Sequence, residues 1–341
     1  MIDLRTRYLG LDLASPLVAS SSPLTKNLDG FRILEDGGAS AIVMHSLYEE
    51  EIKGQQAAHD HFMDYGAEAF AEALDYVPIP QTTPGPESYL ELLRSAKASV
   101  DVPVIASLNG ETPGGWTRYA AMLEEAGADA LELNVFFLPT DPSVSGAQIE
   151  DRTVAVLRDV RELVKIPVAV KLSPFWSATM HMASRLSEIG ADGLVLFNRF
   201  YQPDVDLEEF EVLPRLTLST PEEARLGVRW IGMLYGQVPT DMALTSGVHD
   251  AQGALKGVAA GATVTMMTSE ILRRGPARFG EIEQAMRIWL EENEYESIRQ
   301  LRGAMSRRGA RDEEAFSRAQ YKATLDTWRP EPMRKDQVGP A

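Results

Sequence analysis

The chain alternates between short, nearly unbroken apolar runs and longer stretches in which apolar residues recur every three to four positions among charged ones. The apolar runs fall at 16–22, 40–46, 102–109, 130–136, 167–173, 193–199, 242–247 and 263–269. A continuous run, as opposed to strict alternation, marks a parallel strand covered on both faces. Segments of helical spacing lie between them, among them 88–99, 116–126, 148–165, 178–189, 221–235 and 251–259. Eight strand-then-helix units predict an α/β protein, a closed (β/α)8 TIM barrel. An open doubly wound sheet is the other arrangement this pattern allows.

Four strands are approached through Gly-Ala and a short polar residue: Gly38-Ala39-Ser40, Gly127-Ala128-Asp129, Gly190-Ala191-Asp192 and Gly261-Ala262-Thr263. Glycine there would take the left-handed conformation that ends a helix. Two more strands follow Val102-Pro103 and Ile166-Pro167, where proline blocks helix continuation. Three segments stand outside the repeat. Residues 4–13 read as a β-hairpin placed to plug the barrel bottom. A long insertion after the second strand, about 47–86, carries Glu49-Glu50-Glu51 and four prolines (Pro78, Pro80, Pro84, Pro86), and suits a lid or substrate wall. Beyond Glu294 a charged tail places Phe316, Tyr321 and Trp328 at spacings that fit one helix face. The expected division is a barrel over 1–294 and a docking helical extension over 295–341.

Composition narrows the chemistry. The chain of 341 residues is 44% hydrophobic and 24% charged, ordinary for a protein with a sizeable core. It has no apolar run long enough for a membrane span, and Met1-Ile2-Asp3-Leu4-Arg5 lacks the plan of a signal peptide, so a cytoplasmic protein is expected. The absence of cysteine removes disulfides, thiol nucleophiles and iron–sulfur ligation by this chain. A net charge of −17 argues against coating nucleic acid or anionic membranes. Within Arg307-Arg308 and the tail, acidic residues interrupt basic ones, which again favours docking over nucleic-acid contact.

Active sites of such barrels lie at the C-terminal strand ends. Those ends offer Ala19-Ser20-Ser21, His45-Ser46, Ser107-Leu108-Asn109, Asn134, Lys171, Asn198, Ser246-Gly247 and Thr268-Ser269. Carboxylates are absent from them, so the mouth reads as neutral to cationic and suited to an anion. The last two ends, with small or hydroxyl residues before a helix, suit phosphate. No metal site is expected: Ala58-His59-Asp60-His61 has ligand-like spacing but no further support, and His249 reads as a turn residue.

These strings resemble the dihydroorotate dehydrogenase family, in its soluble, class-1-like branch. Val18-Ala19-Ser20-Ser21-Ser22-Pro23-Leu24 resembles the family's opening strand, and Leu131-Glu132-Leu133-Asn134 the strand ending in a flavin-contacting asparagine. Pro167-Val168-Ala169-Val170-Lys171-Leu172-Ser173-Pro174 resembles its lysine strand, and Asp192-Gly193-Leu194-Val195-Leu196-Phe197-Asn198 its sixth strand. Thr245-Ser246-Gly247-Val248 stands where the family places a phosphate turn. The similarity runs from about Leu4 to Leu301. It implies an FMN oxidoreductase acting on a CH–CH bond, as in pyrimidine biosynthesis, and a homodimer. Ala19 and Ser20 would lie beside the flavin ring, Asn134 and Lys171 at its pyrimidine edge, and Ser246, Gly247, Thr268 and Ser269 at its phosphate. Asn109 and Asn198 would reach the substrate.

The chain departs from the family in three places. Phe137 stands three residues past Asn134, where the family has the cysteine or serine base, and phenylalanine accepts no proton. His45 replaces a lysine expected near the end of the second strand. Val77-Pro78-Ile79-Pro80-Gln81 occupies the region of an asparagine-rich substrate loop. Among Thr140, Asp141, Ser143 and Ser145, the two serines come nearest to a displaced base, and His45 is the other candidate acid or base. Phe136 and Phe137 would wall a pocket for a flatter or more apolar substrate. Two other functions stay open: a Schiff-base lyase or aldolase using Lys171, and a flavin-bearing accessory subunit. Electrons would leave through the flavin to a small acceptor or a separate partner.

Overall fold

The computed structural model describes residues 2–54, 86–110, 112, 114, 117–136, 138–200, 202–213, 215–309 and 319–327. His59, His61, the stretch 77–81, Phe137, Phe316 and Trp328 lie outside the described residues. In chain order the strands are β1 (Thr6–Tyr8), β2 (Leu11–Leu13), β3 (Leu17–Ala19), β4 (Ile42–Tyr48), β5 (Val104–Gly110), β6 (Ala130–Val135), β7 (Val168–Leu172), β8 (Gly193–Leu196), β9 (Asp204–Asp206), β10 (Glu211–Leu213), β11 (Asp241–Leu244) and β12 (Val264–Met267). β3 to β8, then β11 and β12, pair in parallel, and β12 returns to β3 to close the barrel. Closure removes the open-sheet alternative and leaves no open edge in the eight-stranded sheet.

Each expected strand is present; β5 ends one residue later, at Gly110, β11 begins one earlier, at Asp241, and the second barrel strand runs further, to Tyr48. Helices Pro86–Lys97, Arg118–Glu125, Gly146–Leu163, Thr179–Ile189, Ala224–Leu234 and Ala251–Ala260 fill the expected helical segments. Leu28–Asp36 and Arg278–Glu292 complete the coat. Two apolar layers result. Leu17, Ile42, Leu108, Leu131, Val170 and Leu244 face the helices, whereas Val18, Val43, Ile105, Ala130, Ala169 and Val195 face the barrel axis.

The Gly-Ala segments do two jobs. Gly38, Gly127, Gly190 and Gly261 have φ of 103°, 97°, 104° and 129°, a region that other residues rarely enter. The polar residue two positions on then ties down a neighbouring chain segment. Asp129 Oδ2 accepts the Val104 N–H at 2.7 Å and Asp192 Oδ2 the Val168 N–H at 2.8 Å. Ser40 Oγ accepts the Ser15 N–H at 2.9 Å, and Thr263 Oγ1 the Met242 N–H at 3.4 Å. Groups at the beginning of a strand, which lack a ladder partner there, are thereby satisfied.

The N-terminal hairpin closes the barrel bottom as expected. Tyr8 pairs with Leu11. The two turn residues, Leu9 and Gly10, both have positive φ, 53° and 75°, as a type I′ turn requires. Tyr8, Leu9 and Leu13 are buried against the axial layer. A second hairpin, β9–β10, was not legible in the sequence. It projects after β8 with Val205, Leu207, Phe210 and Val212 exposed. Past residue 294, Ile298 and Leu301 are buried on the barrel, while residues 321–325 of helix Ala319–Leu325 are exposed, Tyr321 included. Among the described residues no helix is long and apolar enough to cross a membrane.

Candidate active site

Asn109, Asn134 and Lys171 stand abreast at the barrel mouth. Asn109 is the register partner of Asn134 across β5–β6, and Asn134 that of Lys171 across β6–β7. Asn198, just past β8, donates from Nδ2 to Asn134 Oδ1 at 3.2 Å. One layer below, Lys171 Nζ lies 3.2 Å from Glu132 Oε1. The strand ends themselves carry no carboxylate, but Glu132 sets one directly beneath them. Glu132 precedes Asn134 by two residues, so strand alternation turns both the same way. The two-residue spacing in Leu131-Glu132-Leu133-Asn134 is the signal of this placement. Glu132 Oε2 and the Tyr8 hydroxyl are both buried without a hydrogen-bond partner among the described residues. Burial first, then the charges of Glu132 and Asp241, holds the Tyr8 hydroxyl well above its ordinary pKa, so it stays protonated.

A cleft opens beside this row. It holds about 700 Å³ of free space counting its open mouth. Ser20, Lys171, Asn198, Ser246, Gly247, Thr268 and Ser269 line it, so seven of the expected site residues converge. Ser21, also offered by the first strand end, lines it too, as do Arg199 and Ser219, which the strand-end reading does not single out. Arg199 is held by Glu223 at 2.9 Å and by the Thr217 carbonyl. Ser219 arrives on a loop whose partners are far away in sequence, so no local pattern announces it.

Ser246 and Gly247 both have positive φ, 70° and 75°. A Cβ on Gly247 would lie 2.3 Å from the Ala224 nitrogen, so only glycine fits this turn. His249 is more than a turn residue. It is buried, with Nε2 3.1 Å from Ser219 Oγ and Nδ1 3.3 Å from Glu270 Oε2.

Other expected residues are placed elsewhere. The Ala19 side chain packs in the helix-facing layer, which leaves only its backbone for the mouth. His45 sits in a register shift of β4 between Val43 and Ser46. The extra residue of such a bulge re-aims the side chains beyond it. Ser46 takes the place opposite Ser107, hydroxyl to hydroxyl at 2.8 Å. His45 instead packs on Tyr89 with ring centroids 4.9 Å apart and directs Nδ1 at the Thr25 carbonyl, 2.9 Å away. Burial holds its pKa below 6.5, opposed by the Thr25 hydrogen bond and aided by the Lys26 charge.

The two serines proposed as displaced bases are committed locally. The Ser145 hydroxyl caps helix Gly146–Leu163 in a capping box with Gln148. Ser143 Oγ donates to Asp141 Oδ1 at 2.7 Å. Both are exposed, and neither lines the cleft. Close to the row, Phe136 and Phe175 pack on Phe200 at 6.2 and 5.1 Å, forming an aromatic wall beyond β6, β7 and β8.

The donor set fits an anionic, planar group. The hydroxyl residues Ser20, Ser246, Thr268 and Ser269, the Lys171 ammonium and the Asn198 amide line it, and no Asp or Glu is among the described lining residues. The ion pair to Glu132 employs Lys171 as a charge, which disfavours its use as a Schiff-base nucleophile.

Comparison with known proteins agrees with this geometry. The family model described as dihydroorotate dehydrogenase matches residues 4–290. The "Dihydroorotate dehydrogenase B (NAD(+)), catalytic subunit" of Desulforudis audaxviator is 31% identical over 310 residues, covering 88% of this chain and 96% of the relative. The protein of the same name from Thermoplasma volcanium is 26% identical over 316 residues, covering 90% of this chain and 100% of the relative. The "Putative dihydroorotate dehydrogenase A (fumarate)" of Aeropyrum pernix is 26% identical over 309 residues, covering 88% and 97%.

Proposed function

The chain belongs to the dihydroorotate dehydrogenase family, and on that premise we propose that it is an FMN-dependent oxidoreductase acting on a CH–CH bond of a small carboxylated ring substrate, dihydroorotate or a relative of it. The convergence of Lys171, Asn134 and Asn198 with the Ser246–Gly247 and Thr268–Ser269 turns around one cleft carries this reading. FMN, when bound, supplies the hydride acceptor.

The chain's own residues bind and orient. Ser246, Gly247, Thr268 and Ser269 hold the phosphate. Lys171 and Asn134 hold the pyrimidine edge, where a fixed positive charge favours the reduced cofactor. Ser20 and the Ala19 backbone lie against the ring. Asn198 and Asn109 orient the substrate. Phe136, Phe175 and Phe200 would wall the substrate side and favour a flat or apolar ring.

Phe137 leaves the family's proton-accepting position empty of a base. Neither His45, Ser143 nor Ser145 makes up for it, since each is engaged away from the cleft. The expected consequence is slow turnover of dihydroorotate. The experiment is anaerobic reduction of the bound flavin by dihydroorotate, in the wild type and in Phe137→Ser. The variant should be faster, by up to about two to four orders of magnitude, the usual worth of a general base. Fast reduction by the wild type would remove the expectation of slow dihydroorotate turnover. A colourless protein that ignores added FMN would remove the flavin itself.

Without cysteine the chain cannot ligate an iron–sulfur cluster. The relatives named as catalytic subunits support a separate electron-accepting partner for this chain too. A second copy of the chain is the proposed occupant of the β9–β10 hairpin. Its two strands of three residues are too short to hold alone, and a copy of the same hairpin would cover the exposed Val205, Leu207, Phe210 and Val212.

A further inference from the structure

Three buried side chains stand in file behind one wall of the cleft. Ser219 lines the cleft and is 3% exposed. Its Oγ lies 3.1 Å from His249 Nε2, and His249 Nδ1 lies 3.3 Å from Glu270 Oε2. The other oxygen of Glu270 accepts from Arg278 Nε at 2.8 Å and lies 3.5 Å from Arg274 Nε. The His249 carbonyl accepts from Arg278 Nη2 at 3.4 Å. Three separate elements supply this file: the loop before the Pro221–Glu223 turn, the turn after β11, and helix Ser269–Arg274.

The backbone of Ser219 is already taken. Its N–H donates to Ser269 Oγ at 3.0 Å and its carbonyl accepts from Arg273 Nη1 at 3.0 Å. Only the hydroxyl is free to turn. We infer that His249 sets the direction of the Ser219 hydroxyl, so that binding of a phosphate monoester at this end of the cleft takes up one proton. The identity of the ligand as FMN rests on the function proposed above; the proton coupling does not.

The reasoning is donor arithmetic. A carboxylate only accepts, so Nδ1, which faces Glu270, carries a hydrogen whatever the charge of the ring. Nε2 is where the two forms differ. In the neutral ring Nε2 holds a lone pair, the Ser219 hydroxyl donates to it, and the cleft meets oxygen lone pairs that repel phosphate. In the cation Nε2–H donates to Ser219 Oγ, and the hydroxyl hydrogen turns into the cleft beside Thr268 and Ser269. An anion there favours the second arrangement. Charged groups around the imidazole are Glu270, Arg273 and Arg274 from helix Ser269–Arg274, and Arg278 with its partner Glu281 from Arg278–Glu292. Glu222 from the Pro221–Glu223 turn also senses the ring's charge, and Asp250 follows it in sequence.

The test is equilibrium binding to the full chain freed of flavin, from about pH 5.5 to about pH 8.5, the span in which histidine ordinarily titrates. FMN and riboflavin are followed by flavin fluorescence, and inorganic phosphate by calorimetry. The second ionisation of phosphate acts alike in all variants, so the comparison is wild type against His249→Gln, whose amide does not titrate. FMN affinity of the wild type should fall, relative to H249Q, by up to about tenfold per pH unit on the alkaline side, the slope of one proton. Riboflavin affinity should show no such difference. Ser219→Ala should weaken FMN about tenfold and leave riboflavin unchanged.

Equal slopes in wild type and H249Q would overturn the inference. So would a Ser219→Ala loss shared equally by FMN and riboflavin. If neither flavin binds but inorganic phosphate does, with the His249-dependent slope, the proton coupling stands and the FMN reading falls. Binding of neither flavin nor phosphate removes both.

Discussion

The ammonium of Lys171 rests 3.2 Å from Glu132 Oε1, and the carboxylate is the deeper of the two, its side chain 1% exposed against 11%. A charge held this way is fixed in position, which is what a cofactor-tuning residue needs. Glu132→Gln should cost about 3 kcal/mol of stability by leaving the lysine uncompensated. It should also raise the midpoint potential of the bound flavin, because more positive field reaches its pyrimidine edge. Urea unfolding and a dye-coupled redox titration read the two effects. In the double variant Glu132→Gln/Lys171→Met, which no longer buries an unpaired charge, most of the lost stability should return.

Ser145 caps helix Gly146–Leu163. Ser145→Ala should lower stability by about 1 kcal/mol through loss of the capping box. Flavin reduction by substrate should keep its wild-type rate. A rate loss of about a hundredfold or more would restore Ser145 as the proton acceptor.

His45 makes stability depend on acidity. Burial depresses its pKa in the folded chain below 6.5, so between the folded and unfolded values the unfolded chain binds more protons. Stability therefore holds above that range and is lost as pH falls through 6.5 toward the folded value. Urea midpoints measured near neutrality and at mildly acidic pH should drop less in His45→Gln than in the wild type. Identical drops would show that His45 carries none of the effect.

The strand staples can be removed one at a time. Asp129 Oδ2 accepts from the Val104 N–H at 2.7 Å and pairs with Lys97 at 2.5 Å, at the end of the barrel away from the mouth. Asp129→Ala should destabilise by about 1–3 kcal/mol, the cost of stranding a part-buried N–H. FMN affinity should stay as it is. A matching loss of cofactor affinity would mean that the barrel shifts as one body when this staple fails.

The projecting hairpin supplies the fifth test. Phe210, 88% exposed at the β9–β10 turn, becomes buried if a second copy docks there. Phe210→Asp should yield single chains in sedimentation velocity where the wild type sediments as dimers. A wild type that is monomeric at micromolar concentration would exclude this docking.

Much of the architecture was legible from the chain alone because its cause is local. Continuous apolar runs placed the eight barrel strands, and Gly-Ala-polar triplets placed the points where helices end and strands begin. Identity of strand-end residues was enough to gather Ser20, Lys171, Asn198, Gly247 and Ser269 at one cleft, because in a barrel every strand end faces the same mouth. Other features escaped that logic. A single extra residue in β4, invisible in composition, gave the inward position to Ser46 and turned His45 onto Tyr89. The pairing of Glu132 with Lys171, and the file from Ser219 through His249 to Glu270, join residues 21 to 39 positions apart. Sequence determines which residues a strand or turn presents, since backbone geometry repeats every two or four residues. Register between strands and contact between loops depend on how whole elements pack, and only the closed barrel decides them.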